Sequence, residues 1–130
     1  MKTLGHRVIK FIETYCVHST GDYLGKPFIL RDWQKEILLE MFSTREDGSF
    51  KYHTAYISTP KGNGKSEMAS ALAVVGLMGL NQTAPLIPLV ASSYDQADIV
   101  FSSAKQMIAN GELRHFADLM ERKMLVLMME

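Results

Sequence analysis

The sequence predicts an incomplete α/β domain, a parallel-sheet, three-layer core with helices ahead of it. Three observations predict this. Over the second part of the chain, apolar runs of strand length alternate with stretches of helical periodicity. A loop rich in glycine and lysine joins the first of those strands to the most apolar helix. The first part of the chain carries amphipathic helical spacing alone.

Taken in order, Val8, Ile9, Ile12, Tyr15 and Cys16 recur at helical spacing, with Lys10 and Glu13 opposite them. The loop STGDYLGKPFIL leads to a second helix from about Arg31 to Phe42. There Trp33, Ile37, Leu38, Met41 and Phe42 form the apolar face, and Lys35, Glu36 and Glu40 the polar one. The polar REDGS is a surface turn. We therefore read residues 1–45 as an N-terminal helical segment and 46–130 as the incomplete core.

In the core, residues near Tyr52 to Ser58 read as a short strand and Ser66 to Leu80 as a helix buried on several sides, whose end Gly76 and Gly79 blur. LIPLVAS reads as a buried strand, with Pro88 marking an edge or bulge. Ala97, Val100, Phe101, Ala104, Met107 and Ile108 then make an apolar helical stripe. Ser93 and Gln96 have capping-box spacing, and Gly111 suits the C-terminal cap. A last helix on Leu113, Phe116, Leu119 and Met120 precedes the apolar end MLVLMM, read as core awaiting a partner surface. The strand–helix–strand order implies a right-handed parallel crossover.

Composition narrows the function. Of 130 residues 47% are apolar, so the chain can build a core. Lys and Arg total 14 and so do Asp and Glu, which disfavours a surface devoted wholly to nucleic acid. The single Cys16 excludes an internal disulfide and fits an intracellular setting; at helical spacing it reads as core. The four histidines show no metal-ligand spacing. The N-terminus lacks a signal-peptide pattern, and the longest apolar run, Met68 to Leu80, falls short of the about 20 residues a bilayer span needs. We expect a soluble, cytoplasmic protein.

The chemistry concentrates in STPKGNGKSE, residues 58–67. A phosphate loop reads Gly, four residues, Gly, Lys, then Ser or Thr. Gly64, Lys65 and Ser66 match its end, while Thr59 replaces the first glycine. Backbone N–H groups of Gly62, Asn63, Gly64, Lys65 and Ser66 would converge on a phosphate, and the helix that follows adds the positive end of its dipole. Lys65 would reach the β- and γ-phosphates of ATP, and the Ser66 hydroxyl would ligate Mg²⁺. The bland alternative is a glycine turn that happens to precede a lysine. Its place between a predicted strand and a buried helix favours the phosphate loop, and with it an incomplete P-loop NTPase core.

These residues resemble a family. YISTPKGNGKSEMASALAVVGLMG is similar to the Walker A segment of phage terminase large subunits, the ATPase motors that package DNA into proheads. The resemblance implies that the first glycine is dispensable, so Thr59 and Pro60 take its place in the nucleotide-binding loop. It also puts Lys61 where the family carries an arginine, keeping the charge without the planar fork. Upstream, GKPFILRDWQKEILLEMF resembles the segment before the family's core, which makes Gln34 the counterpart of an adenine-reading glutamine. Downstream, ASSYDQADIVFSSAKQMI resembles the second strand and its helix. On the residues alone, Gln34 could equally be a solvated helix residue beside a core Trp33, and Lys61 a solvated loop lysine. Asp95 and Gln96 read as a helix start.

The resemblance implies an N-terminal terminase fragment with ATP and Mg²⁺ as cofactors and Lys65 and Lys61 as the catalytic cations. For the parent it implies an oligomeric ring, double-stranded viral DNA, portal and small-subunit partners, and a phage or prophage origin in the host cytoplasm. The Asp-Glu strand end that would hold the metal's water shell and activate the attacking water does not occur in the chain, nor does a carboxylate-rich nuclease segment. We therefore expect ATP binding without turnover in the chain alone. The alternatives are a helicase-like P-loop ATPase fragment, which an upstream Gln and a Gly-Lys-Ser loop also fit, and a non-catalytic prophage remnant that docks through its apolar end.

Overall fold

The computed structural model describes residues 2–18, 25–59, 65–80, 87–111 and 124–128. Four α-helices and two strands occur among them: α1 (Gly5–Tyr15), α2 (Asp32–Met41), α3 (Lys65–Val74), β1 (Ile87–Ala91), α4 (Tyr94–Ala109) and β2 (Met124–Met128).

Helices α1 and α2 cross at close range because Gly5 has no side chain. A Cβ there would lie 2.5 Å from the Leu39 Cα and 2.8 Å from the Leu38 carbonyl oxygen. Polar bonds lock the crossing. Thr3 Oγ1 donates to Leu39 O at 2.6 Å, and Leu4 N donates to Phe42 O at 3.0 Å. Glu13 Oε2 accepts from Leu30 N at 3.0 Å and lies 3.7 Å from Lys35 Nζ, so α1 also holds the entry to α2. Tyr15 lies on the rim, 37% exposed, rather than inside, and its ring tilts against Phe11 with centroids 5.1 Å apart. Cys16 caps α1 with its thiol buried, and burial pushes its pKa up to about 12.

Helix α2 runs within a residue of its predicted bounds, but its inward face is centred differently. Gln34 and Leu38 are buried while Trp33 is only half-buried. The turn after α2 places Gly48 at φ +87°, with Asp47 Oδ1 accepting from Ser49 N, the local geometry expected of REDGS.

Residues 52–58 are not a strand. They run without ladder bonds, and Tyr56 is 93% exposed. A strand exists only where a neighbouring backbone pairs with it, and among the described residues none does. The parallel unit forms one step later. Strand β1 pairs in parallel with β2 from Ile87↔Met124 to Ala91↔Met128, with α4 as the link, and the ladder passes through Pro88, as an edge strand permits. The apolar end thus serves inside the chain as a strand. The helix expected at 113–120 lies outside the described residues.

Helix α3 continues through a π-helical turn, Val75–Gly79, where its two glycines weaken regular helix. Its neighbour α4 starts as expected: Ser93 Oγ accepts from Gln96 N at 3.3 Å. The other half of the box is diverted, since Gln96 Oε1 accepts from Ser92 Oγ at 2.6 Å. Gly111 follows the C-cap Asn110 without a positive φ. A Cβ on it would sit 3.2 Å from the Tyr15 carbonyl oxygen, so glycine lets the end of α4 abut the end of α1. One buried cluster joins Val8 and Ile12 of α1, Leu38 of α2, Met68, Ala71 and Val74 of α3, and Ala104, Met107 and Ile108 of α4.

Candidate nucleotide-binding site

Helix α3 presents its N-terminal end at the surface and buries or half-buries the residues after it. Ser66 is exposed and Glu67 half-buried, while Met68, Ser70 and Ala71 are buried. The first amides of any helix lack intrahelical acceptors, so this end offers N–H donors and the positive pole of the dipole. Ser70 anchors it from beneath. Its hydroxyl donates to Ser66 O at 2.7 Å and also lies 3.3 Å from Val100 O of α4. The turn bearing Ser66 is therefore held on α4 rather than free to fray.

At the other side of the loop, the Thr59 hydroxyl is buried and has no hydrogen-bond partner among the described residues. Leaving such a group unbonded costs about 1–3 kcal/mol, so a native structure rarely tolerates it unless a ligand or water completes it. A hydroxyl at Thr59, a second at Ser66 and the N-terminus of α3 are donor types that fit a polyphosphate with its divalent cation. Pro60, Lys61, Gly62, Asn63 and Gly64 lie outside the described residues. Lys65 opens α3.

Gln34 is 4% exposed, and its Oε1 accepts from Arg31 N at 2.8 Å. It is neither solvated nor idle, since it closes the first turn of α2. A carboxamide oxygen has two lone pairs, so this bond uses one of the two acceptor sites of Oε1. The structure also opens a cleft of about 380 Å³ between α2 and the approach to the loop, bounded by Ile37, Glu40, Met41, Tyr52 and Thr54 through Ser58, in which Tyr52 OH donates to Glu40 Oε1 at 2.6 Å. No group of three His, Cys, Asp or Glu suited to a metal occurs among the described residues. Asp95 sits in the first turn of α4 and Asp98 accepts from Ser102 at 3.1 Å, both in helix-local roles.

Sequence reasoning noted Thr59 as a departure from the pattern and, through the resemblance, as part of the nucleotide-binding loop; the burial of its hydroxyl was not foreseen. Ser70 escaped notice altogether. A serine at the i+4 position from Ser66 on an otherwise apolar helix was the available signal.

Residues 32–128 match the family model for the terminase large subunit, ATPase domain. The chain belongs to this family. It is 32% identical over 108 residues to the terminase large subunit of Enterobacteria phage HK97, covering 82% of the chain and 20% of that relative. The crystal structure of the HK97 bacteriophage large terminase superposes with a TM-score of 0.73 at 28% identity, over 88% of this chain and 23% of that one. The chain thus spans about a fifth of the length of the terminases it matches. The matched span takes in the Thr59–Ser66 loop, β1, α4 and β2, so the fold described above is that of a terminase ATPase domain in its N-terminal region. No helix among the described residues is long and apolar enough to cross a membrane.

Proposed function

We propose that this chain is the ATP-phosphate-binding part of a terminase motor that packages double-stranded viral DNA, with a P-loop NTPase core of parallel-sheet, three-layer type. The observation that carries the proposal is the buried Thr59 hydroxyl, without a hydrogen-bond partner among the described residues, at the start of the segment that leads to the exposed first turn of α3. In this reading Thr59, Pro60, Lys61, Gly62, Asn63 and Gly64 wrap the phosphates. Lys65 supplies point charge at the β- and γ-phosphates, and Ser66 gives its hydroxyl to Mg²⁺. Lys61 adds a second cation near the γ-phosphate, and Gln34 reads the adenine edge from α2. Residues 1–45 flank the adenine site and 46–130 form the core. ATP would supply the transferable phosphoryl group.

Binding and turnover are separable here. The chain holds cations and hydroxyls for phosphates, whereas its sequence carries no apolar strand ending in Asp-Glu to orient a water. We expect the chain alone to bind MgATP without hydrolysing it, and DNA, portal and small-subunit contacts to belong to the longer proteins of the family.

Titration with a fluorescent ATP analogue tests this. Lys65→Ala should weaken binding by about 10- to 150-fold, the worth of a charged hydrogen-bond partner, with the melting temperature unchanged. Equal affinity in wild type and variant would refute the assignment. Phosphate release by the wild-type chain, absent in Lys65→Ala, would refute the claim that it does not turn over.

A further inference from the structure

We propose that the solvent face of α1 binds single-stranded nucleic acid, with phosphates on Arg7 and Lys10 and a base stacked on the Phe11–Tyr15 pair. Arg7, Lys10, Phe11, Thr14 and Tyr15 stand at i, i+3, i+4, i+7 and i+8, so they share one helix face. Together they bound a cleft of about 200 Å³. Arg7, Lys10 and Thr14 are exposed, and the two rings form a tilted ledge beside them.

The charges on this face are unbalanced. The chain is neutral as a whole, yet neither Arg7 nor Lys10 ion-pairs among the described residues. Glu13, the carboxylate of α1, is turned away and engaged with Leu30 N and Lys35. Two unpaired cations one helical turn apart call for adjacent anions, and an aromatic ledge beside them calls for a flat ring. A strand with unstacked bases offers both. A duplex offers its phosphates but keeps its bases inside, and an acidic peptide lacks the alternation of anion and planar ring. The surface is independent of the ATP reading and stands or falls apart from it.

The test is fluorescence anisotropy of a labelled oligothymidylate with the 130-residue chain at low salt. The double variant Arg7→Gln/Lys10→Gln should flatten the slope of log affinity against log salt by about 1.4, two phosphates at about 0.7 each. Tyr15→Leu should weaken binding by about 5- to 150-fold while keeping the slope, and Tyr15→Phe, which keeps the ring, should bind as wild type. Lys51→Gln, on another face, should change nothing, and saturating MgATP should not displace the oligonucleotide. Circular dichroism confirms that each variant is folded. The proposal is overturned by absence of binding, by displacement with MgATP, by a slope the double variant leaves unchanged, or by duplex binding as tight as single-strand binding with Tyr15 indifferent.

Discussion

Residues 2–51 are tied together by hydrogen bonds that cross between elements, whereas α3, β1 and α4 are joined by apolar packing, one strand pair and the Ser70 hydroxyl. In the first region Thr3, Glu13 and the backbone at Leu4, Thr44 and Lys51 all bridge distant stretches of chain. In the second, the Ser70 hydroxyl bonds α3 to α4. Both regions leave some apolar surface open: Ile29 is 63% exposed in the first, and Val90 of β1 and Ile99 of α4 are 49% and 58% exposed in the second. The contrast teaches where rigidity is placed. The first region is a frame that fixes α2 and with it Gln34. The second carries the loop end at Ser66.

That contrast can be broken at its strongest point. Leu38→Ala empties a fully buried position shared by α1 and α2 and should cost about 2–5 kcal/mol in denaturant unfolding. A loss below about 1 kcal/mol would mean that the frame does not depend on this crossing. Gly5→Ala attacks the same contact by overpacking. Its Cβ would meet backbone, which cannot swing aside, so about 1–3 kcal/mol should be lost.

Cys16 probes the frame by pH. Its thiol is held at about 12 when folded against an ordinary value of 9.0. A raised folded pKa means that its contribution is complete below about pH 9 and drains away as pH climbs from there toward 12. At pH 10 the loss should be on the order of 1 kcal/mol, and Cys16→Ala should remove that slope. A thiol reagent at pH 8 should leave the folded wild-type protein unmodified; rapid labelling would show that Cys16 is accessible.

Thr59→Val sharpens the comparison from the other side. It keeps the shape and deletes the unbonded hydroxyl, so the ligand-free protein should be unchanged or more stable by up to about 1 kcal/mol. MgATP affinity should fall in the same variant. A destabilised ligand-free protein would mean that the hydroxyl has a structural partner.

Much of this was legible from spacing. The apolar stripes of α1, α2 and α4 and the cap at Ser93 follow from helical periodicity and local hydrogen-bond chemistry, which operate within a few residues. The misreadings all depended on distant partners. The run at 52–58 has strand-like residues, but pairing is a property of the neighbour rather than of the run. MLVLM pairs with β1 although a short apolar run cannot declare whether it is a strand, helix or docking end. At the site, the loop and Lys65–Ser66 were visible as a pattern. The burial of Gln34 and of the Thr59 hydroxyl was not, because burial depends on what packs over a residue.

The most direct test of the central claim is a backbone amide NMR titration of the isotopically labelled chain with MgATP. The account predicts shifts concentrated at residues 58–67 and a smaller set at Gln34 and Arg31, with the α1 face unmoved. Shifts confined to the cleft between α2 and residues 52–57, or none at millimolar MgATP, would contradict it.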